Sequence, residues 1–396
     1  MEAKTISAAE ILGHPDYQAI SYGGYRAVSR DTQPTVAQIK EDMRLLHAMG
    51  IRMIRTYNVQ LPHAPNALKA ISELKQEDPN FEMYVMLGAW IDCMNAWTDL
   101  PPDHNVESEQ NAGEIDRAVA LAQQYPDIVK VLAVGNEAMV KWAAAYFVQP
   151  GVILKWVNHL QALKQEGKLP ADLWITSSDN FASWGGGDPV YHVPELNELI
   201  KAVDYISLHT YPMHDTHYNP QFWRARTRVP GEDKSESVMA AMLRSRDYAV
   251  SQYDSVVAYM HSLGVDKPVH IGETGWASSA NELYGDEGSR ATDEYKQYLF
   301  HKLIREWSDE NKVACFYFEA FDEPWKDANN PGGSENHFGL IDLQGGAKRA
   351  LWEQVDAGTF KGLTRDGHPI TKTYGGDEAK LLEEVLAPPT LAEPVN

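Results

Sequence analysis

Ile128-Val129-Lys130-Val131-Leu132-Ala133-Val134-Gly135-Asn136-Glu137 is a near-continuous apolar run that stops on an amide and an acid. A strand with water on one side alternates apolar and polar residues, whereas a strand covered on both faces does not. The run therefore predicts a strand buried on both faces in a parallel sheet. Its last residue raises a second question. A carboxylate directly after such a run needs a partner or a purpose, because burying an unpaired charge is costly.

Seven further runs of this kind occupy residues 19–26, 51–59, 81–91, 173–180, 203–212, 268–276 and 313–321. Helical signals fill the gaps. Thr35-Val36-Ala37-Gln38 has the spacing of a capping box, and Val36, Ile39, Met43 and Leu46 share one helical face up to Gly50. Pro150 to Gly167 encloses Val152, Ile153, Trp156, Val157, Leu160 and Leu163 in the same way, and residues 258–263 end at Gly264. Strand and helix in alternation predict parallel strands joined by right-handed crossovers. Eight such units in about 330 residues predict the α/β class and a (β/α)8 TIM barrel with extended loops at the C-terminal face of the strands. An open doubly wound sheet is the alternative, weakened by the lack of a Gly-x-Gly-x-x-Gly turn after the first strand. No internal repeat or linker stands out. One catalytic domain over residues 1–396 is expected, with a barrel core at about 19–358 and a C-terminal tail at about 378–396. Residues 184–188, Trp-Gly-Gly-Gly-Asp, read as a flexible loop, and residues 213–233 as a long polar and aromatic one.

Composition narrows the partners. The 396 residues carry 56 acidic against 35 basic side chains, a formal charge of −21. Such a surface repels phosphate backbones and anionic lipid, so neither nucleic acid nor membrane insertion is expected. Two cysteines, Cys93 and Cys315, cannot make a disulfide framework or a cysteine-rich zinc site. The opening residues Met1-Glu2-Ala3-Lys4 lack the apolar core of a secretion signal. With 11 Trp and 19 Tyr against 10 Phe, the aromatics favour rings with a polar handle, which suit a half-exposed cleft.

In this barrel the active site lies where strand ends meet the following loops. Strand four ends in Asn136-Glu137 and strand seven in Gly272-Glu273-Thr274-Gly275-Trp276. Strand two offers Arg55 and Tyr57, strand six His209 and Tyr211, and strand eight Glu319, Phe321, Asp322 and Glu323. Two glutamates at one barrel mouth suggest glycosidic bond cleavage: an acid protonates the departing oxygen, while a carboxylate attacks the sugar carbon or activates water. Ordinary ion-paired acids at strand ends are the competing explanation.

These residues resemble a known family. Val134-Gly135-Asn136-Glu137 is similar to the acid/base motif of clan A glycoside hydrolases. Glu273-Thr274-Gly275-Trp276 resembles the nucleophile motif of glycoside hydrolase family 17, the β-1,3-glucanases and β-1,3-glucanosyltransferases. Phe318-Glu319-Ala320-Phe321-Asp322-Glu323-Pro324-Trp325-Lys326 resembles its eighth-strand motif, especially in microbial members. Arg55-Thr56-Tyr57, Tyr22-Gly23 and His337-Phe338-Gly339-Leu340 resemble three further segments, and all six fall in the family's order. The resemblance implies a retaining enzyme with Glu137 as acid/base and Glu273 as nucleophile. It implies that Asn136 binds the sugar 2-hydroxyl, that Tyr211 donates to Glu273, and that Glu323 and Lys326 stand close to the acid/base. Tyr22, Arg55, Tyr57, Trp276, Phe321 and Trp325 complete the expected substrate-binding set. The chain departs from the pattern at Ala277, where many members have proline, and in the long insertion after strand six.

No cofactor and no metal are expected. His209, His214 and His217 have the wrong spacing for ligands on one helix face, and Asp322, Glu335 and Asp342 lack EF-hand spacing. His209 reads instead as a hydrogen-bond partner behind the site. Trp90, Trp97, Trp142, Trp184 and Trp223 lie at or after strand ends and are candidate sugar platforms or loop anchors. Asp103, Glu107, Glu109 and Glu114 read as a solvated stretch. The expectation is a monomeric, endo-acting, retaining β-1,3-glucanase on laminarin-like β-glucan, periplasmic or secreted because its substrate is a polymer. Glucanosyl transfer on the same glucan and an inactive glucan-binding protein remain the alternatives.

Overall fold

The computed structural model describes residues 5–395. Each apolar run supplies one strand: β1 (Gln18–Ser21), β2 (Ile51–Arg55), β3 (Tyr84–Ala89), β4 (Val129–Asn136), β5 (Trp174–Asn180), β6 (Ile206–His209), β7 (Val269–Gly275) and β8 (Cys315–Phe318). They pair in parallel, each with its neighbours in sequence, and β8 returns to β1 to close the barrel. Seven main helices lie between them: α1 (Val36–Ala48), α2 (His63–Glu77), α3 (Gln110–Gln124), α4 (Pro150–Gln165), α5 (Pro194–Ala202), α6 (Lys234–Ser262) and α7 (Glu294–Glu310). Among the described residues, no helix is long and apolar enough to cross a membrane.

The continuous hydrophobicity of β4 has a geometric cause. Val131 and Ala133 join Ala19, Met53, Met86, Tyr205 and Phe316 in a cluster that fills the barrel interior. Leu132 and Val134 face the opposite way, into the larger core under the helices. Both faces are dry, so neither can be polar. The capping box of α1 forms as read: Gln38 N donates to Thr35 Oγ1 at 3.1 Å and Thr35 N to Gln38 Oε1 at 2.9 Å. Ile39, Met43 and Leu46 then bury fully, each contributing about 1.5–3 kcal/mol.

Three local expectations change. The runs at 203–212 and 313–321 overshoot, since β6 stops at His209 and β8 at Phe318. Beyond β8 the chain leaves the sheet, and Ala320 N bonds Ser21 O while Phe321 bridges to Ile341. Helix α6 is far longer than the 258–263 stretch read from sequence, and its buried face includes polar Ser245 and Gln252 among Val238, Met242, Val256 and Met260. The 184–188 segment is packed rather than loose: Trp184 is fully buried, its Nε1 donates to Ser207 O, and Gly185 lies against Tyr259.

The chain after β8 is fastened back onto the barrel by charge. Asp42 of α1 is fully buried and accepts from Tyr22 Oη at 2.8 Å, Arg26 Nη1 at 2.7 Å and Arg365 Nε at 2.9 Å. Arg365 is equally buried and lies 4.0 Å over the Phe321 ring. Arg26 has a second carboxylate, Asp366, at 2.9 Å, but among the described residues Arg365 pairs with Asp42 alone. Asp42→Ala therefore strands Arg365 and should cost about 3–5 kcal/mol. Denaturant unfolding reads this as a lower midpoint; an unchanged midpoint would show that the network does not stabilise the fold.

Candidate active site at the barrel mouth

A cleft of about 1290 Å³ opens at the C-terminal ends of the strands. Glu137 and Glu273 both line it, and both owe their direction to an irregularity of the sheet. Along β7, Ile271 faces the helices, so strict alternation would send Glu273 the same way. The register slips instead: Cys315 pairs with Ile271, but Tyr317 pairs with Thr274. This bulge adds one residue and turns Glu273 into the barrel mouth. Gly272 sits at the bulge, and a Cβ there would stand 2.0 Å from Ser207 Oγ and 2.3 Å from Ser178 Oγ. In β4 the register slips between Ala133 and Asn136, with Gly135 at φ +81°. Asn136 turns inward as a result.

Glu137 follows in a left-handed conformation, φ +47°. A side chain there costs about 1–2 kcal/mol, so the surroundings must hold it. Its own N–H donates to Ser178 O at 2.9 Å, and Met139 N donates to the buried Asp179 Oδ2 at 2.7 Å. Burial pushes the Asp179 carboxyl up to about 7.

Glu273 is held by donors on both oxygens. Oε2 accepts from Arg55 Nη1 at 2.9 Å and Tyr57 Oη at 2.8 Å, and Oε1 accepts from Tyr211 Oη at 2.5 Å. Burial opposes ionisation here, but the neighbouring His209, the Arg55 charge and the two phenol donors outweigh it, and the carboxyl stays below its usual range. Burial and the Glu273 charge push both phenols well up, so Tyr57 and Tyr211 keep the protons they donate. Arg55 also donates to Gly272 O at 3.0 Å and to Asn136 Oδ1 at 2.6 Å. That leaves the Asn136 amide NH2 for the cleft.

His209 joins the two acids. One of its ring nitrogens, one oxygen of Glu137 and one of Glu273 all lie within 4.8 Å of one another. Nδ1 is 3.1 Å from Glu137 Oε1, and Nε2 is 3.2 Å from Arg55 Nη1 and 2.7 Å from Ser178 Oγ. A guanidinium only donates, so Nε2 accepts and Nδ1 carries its proton toward Glu137. The same three residues could offer ligand atoms to a metal. The Arg55 charge already bonds Glu273 and touches the histidine, so a second cation would meet strong repulsion there. The three histidines considered from sequence do not converge: His214 stacks between Tyr211 and Tyr284, and His217 meets Tyr218 edge-on. Asp322 is taken by Lys348 at 2.7 Å.

Tyr22, Tyr57, Asn136, Tyr211, Glu323, Trp325 and Lys326 line the cleft as expected. Three expected contacts do not. Arg55 lies beneath the site, holding its side chains. Trp276 is fully buried, donates to Ala291 O at 2.8 Å and packs on Phe300 of α7. With Glu273 turned inward by the bulge, the third residue after it faces out to the helices. Phe321 is buried between Tyr22 and Arg365. Trp223 anchors its loop through Ser289 O. The charges acting on Lys326 include Glu319, Glu323, Glu335 and Glu273.

Trp90, Trp97 and Trp142 do reach the cleft, and the last two are 64% exposed. Tyr146, missed from sequence, stacks with Trp97 at 5.2 Å and meets Trp90 at a tilt at 5.0 Å, backing an aromatic wall. Its placement after Glu137, four residues past Trp142, was the available signal. Glu114 is no solvated acid. It is buried, and its Oε1 accepts from Val59 N and Trp90 N, fastening the loops after β2 and β3.

Comparison with known proteins agrees with this geometry. Residues 19–339 match the family model described as the BtgE/BtgC glycoside hydrolase domain. "Probable glucan endo-1,3-beta-glucosidase btgC" of Aspergillus clavatus is 23% identical over 321 residues, which are 78% of this chain and 38% of that protein. The chain spans less than half the length of such Aspergillus relatives. The crystal structure of an endo-laminarinase from Formosa Hel1_33_131 is 65% identical, with a TM-score of 0.97 over 99% of this chain and 100% of that one. A glycoside hydrolase family 17 β-1,3-glucanosyltransferase from Rhizomucor miehei shares the fold at 20% identity, with a TM-score of 0.57 over 85% of this chain and 96% of that one. Two glutamates held at one barrel mouth, within a family match that spans the whole barrel, identify the chain as a glycoside hydrolase belonging to the BtgE/BtgC glycoside hydrolase domain family.

Proposed function

We propose that this chain is an endo-acting, retaining β-1,3-glucanase of glycoside hydrolase family 17, acting on laminarin-like glucan. The observation that carries the mechanism is the carboxylate spacing. An oxygen of Glu137 and one of Glu273 lie within 4.8 Å. Retaining enzymes set their carboxyls about 5–5.5 Å apart, whereas inverting enzymes leave about 6.5–9.5 Å for a water. The substrate is argued from the 65% identical endo-laminarinase and from the aromatic wall, whose faces suit sugar C–H surfaces.

In the first step Glu273 attacks the anomeric carbon, and Glu137 gives its proton to the departing oxygen. In the second, Glu137 takes a proton from water, which displaces Glu273 and frees the sugar with its configuration retained. Asn136, fixed by Arg55, presents its amide to the 2-hydroxyl. Its hydrogen bond strengthens as charge develops on the sugar. Such a polymer cannot cross a membrane, which puts the site of action outside the cytoplasm. Glucanosyl transfer would share the first step and replace water by a sugar hydroxyl.

Four measurements test this reading. Glu137→Gln and Glu273→Ala should each lower turnover of linear β-1,3-glucan by about 10³-fold or more; near-normal rates in either would remove the assignment. NMR of the first product should show the β-anomer, and an α-product would rule out the covalent route. Product chains longer than the starting oligosaccharide would turn the reading to transfer. Tyr57→Phe should slow kcat/KM about 10–100-fold. Losing that donor raises the Glu273 proton affinity, so the acid limb of the pH profile should move to higher pH. A limb that stays in place would show that Tyr57 does not hold the nucleophile.

A further inference from the structure

Just past β8, two glutamates share a dry corner behind the cleft wall. Glu319 and Glu323 are each 2% exposed. Glu319 Oε1 meets no hydrogen-bond donor, and its carboxyl lies within hydrogen-bonding reach of Glu323. Glu323 Oε2 accepts from Trp325 Nε1 at 2.7 Å. The Glu323 carboxyl packs so tightly on Gly23 that a Cβ there would stand 2.2 Å from Oε1. A half-buried cation, Lys326, stands beside the corner, its Nζ 4.2 Å over the Phe318 ring.

The charges decide the protonation. Two carboxylates cannot bond each other, because both only accept; one must carry a proton. Two buried carboxylates beside one ammonium would leave an uncompensated charge, a far larger cost than keeping that proton. Glu323 already accepts the Trp325 indole N–H. Glu319 has an oxygen without a donor, and burial together with the Glu323 charge pushes its carboxyl well above the usual range.

We propose that Glu319 is a positioning residue that keeps its proton throughout the enzyme's working range and donates it to Glu323, fixing Glu323, Trp325 and Lys326 as a rigid wall on the Glu273 side of the cleft. Ionised, Glu319 would repel Glu323 and draw Lys326 back from the cleft. The other groups facing this corner are already committed. Asp322 is paired with Lys348, while Glu335 and Glu273 face Lys326. Tyr25, after β1, and His63, at the start of α2, face Glu323, and Arg30 lies 4.2 Å over the Trp325 ring.

The consequence for turnover rests on the glucanase reading above, but the protonation itself is read without turnover. Infrared spectra of the wild type near neutral pH should contain a protonated-carboxyl stretch that Glu319→Gln lacks. Glutamine supplies the same donor in the same shape. The pH profile of kcat/KM for Glu319→Gln should therefore superimpose on that of the wild type, within about threefold. Glu319→Ala, with its fold checked by thermal unfolding, should raise KM about tenfold or more while kcat falls less. Should the alanine variant fail to fold, the glutamine variant and the infrared band decide. The proposal fails if the band is the same in both proteins. It also fails if the ratio of Glu319→Gln to wild-type activity changes across the pH range. An absence of glucan turnover with the band present would overturn the substrate reading and leave the protonation standing.

Discussion

One buried guanidinium organises this site. Arg55 ends β2, yet its nitrogens bond Glu273 and Gly272 of β7 and Asn136 of β4, and touch His209 of β6. A charge taken out of water must be matched, or the fold loses several kcal/mol. Both terminal nitrogens of Arg55 find partners that tie four strands to a common geometry, while its Nε has none. The same contact keeps Glu273 ionised against its burial and fixes which face of the Asn136 amide is left for the cleft. Neighbouring strand ends become one electrostatic unit, whose parts cannot shift singly.

Charge is handled differently around the rim. At Glu273 the carboxylate is matched by a permanent cation and two phenols. At Glu319 and Glu323 a single ammonium serves two carboxyls, and a retained proton makes up the difference. At Asp42 one carboxylate is shared by two guanidiniums, of which Arg26 also meets Asp366. Each arrangement pins a piece of chain that the barrel alone would leave loose: Glu273, the Trp325 wall, and the long segment after β8. The −21 formal charge of the chain does not forecast this local bookkeeping.

The placement of Asn136 and Glu273 depends on two of the sheet's register shifts. A regular strand would point Asn136 and Glu273 at the helices. The bulges in β4 and β7 reverse them, and Gly135 and Gly272 permit those bulges. The strained backbone at Glu137 has the same origin. It is bought by the bonds that Ser178 and Asp179 of β5 supply.

The sequence by itself settled the eight strands, the parallel order and the pair of acids, because these rest on local properties: unbroken hydrophobicity, capping chemistry and polar residues at strand ends. It placed His209 and Tyr211 beside those acids for the same reason. It misplaced Trp276 and Phe321, which share motifs with cleft residues but sit a bulge or a turn away from the face it assumed. It passed over Tyr146 and took Glu114 for a solvated acid. Stacking on Trp97, and bonding to the loops after β2 and β3, join residues far apart along the chain. Which way a side chain points at a bulge, and which of several acids keeps a proton, depend on neighbours from other strands. Only the closed barrel brings those neighbours within a few ångströms, and at that range Coulomb and hydrogen-bond energies decide the outcome.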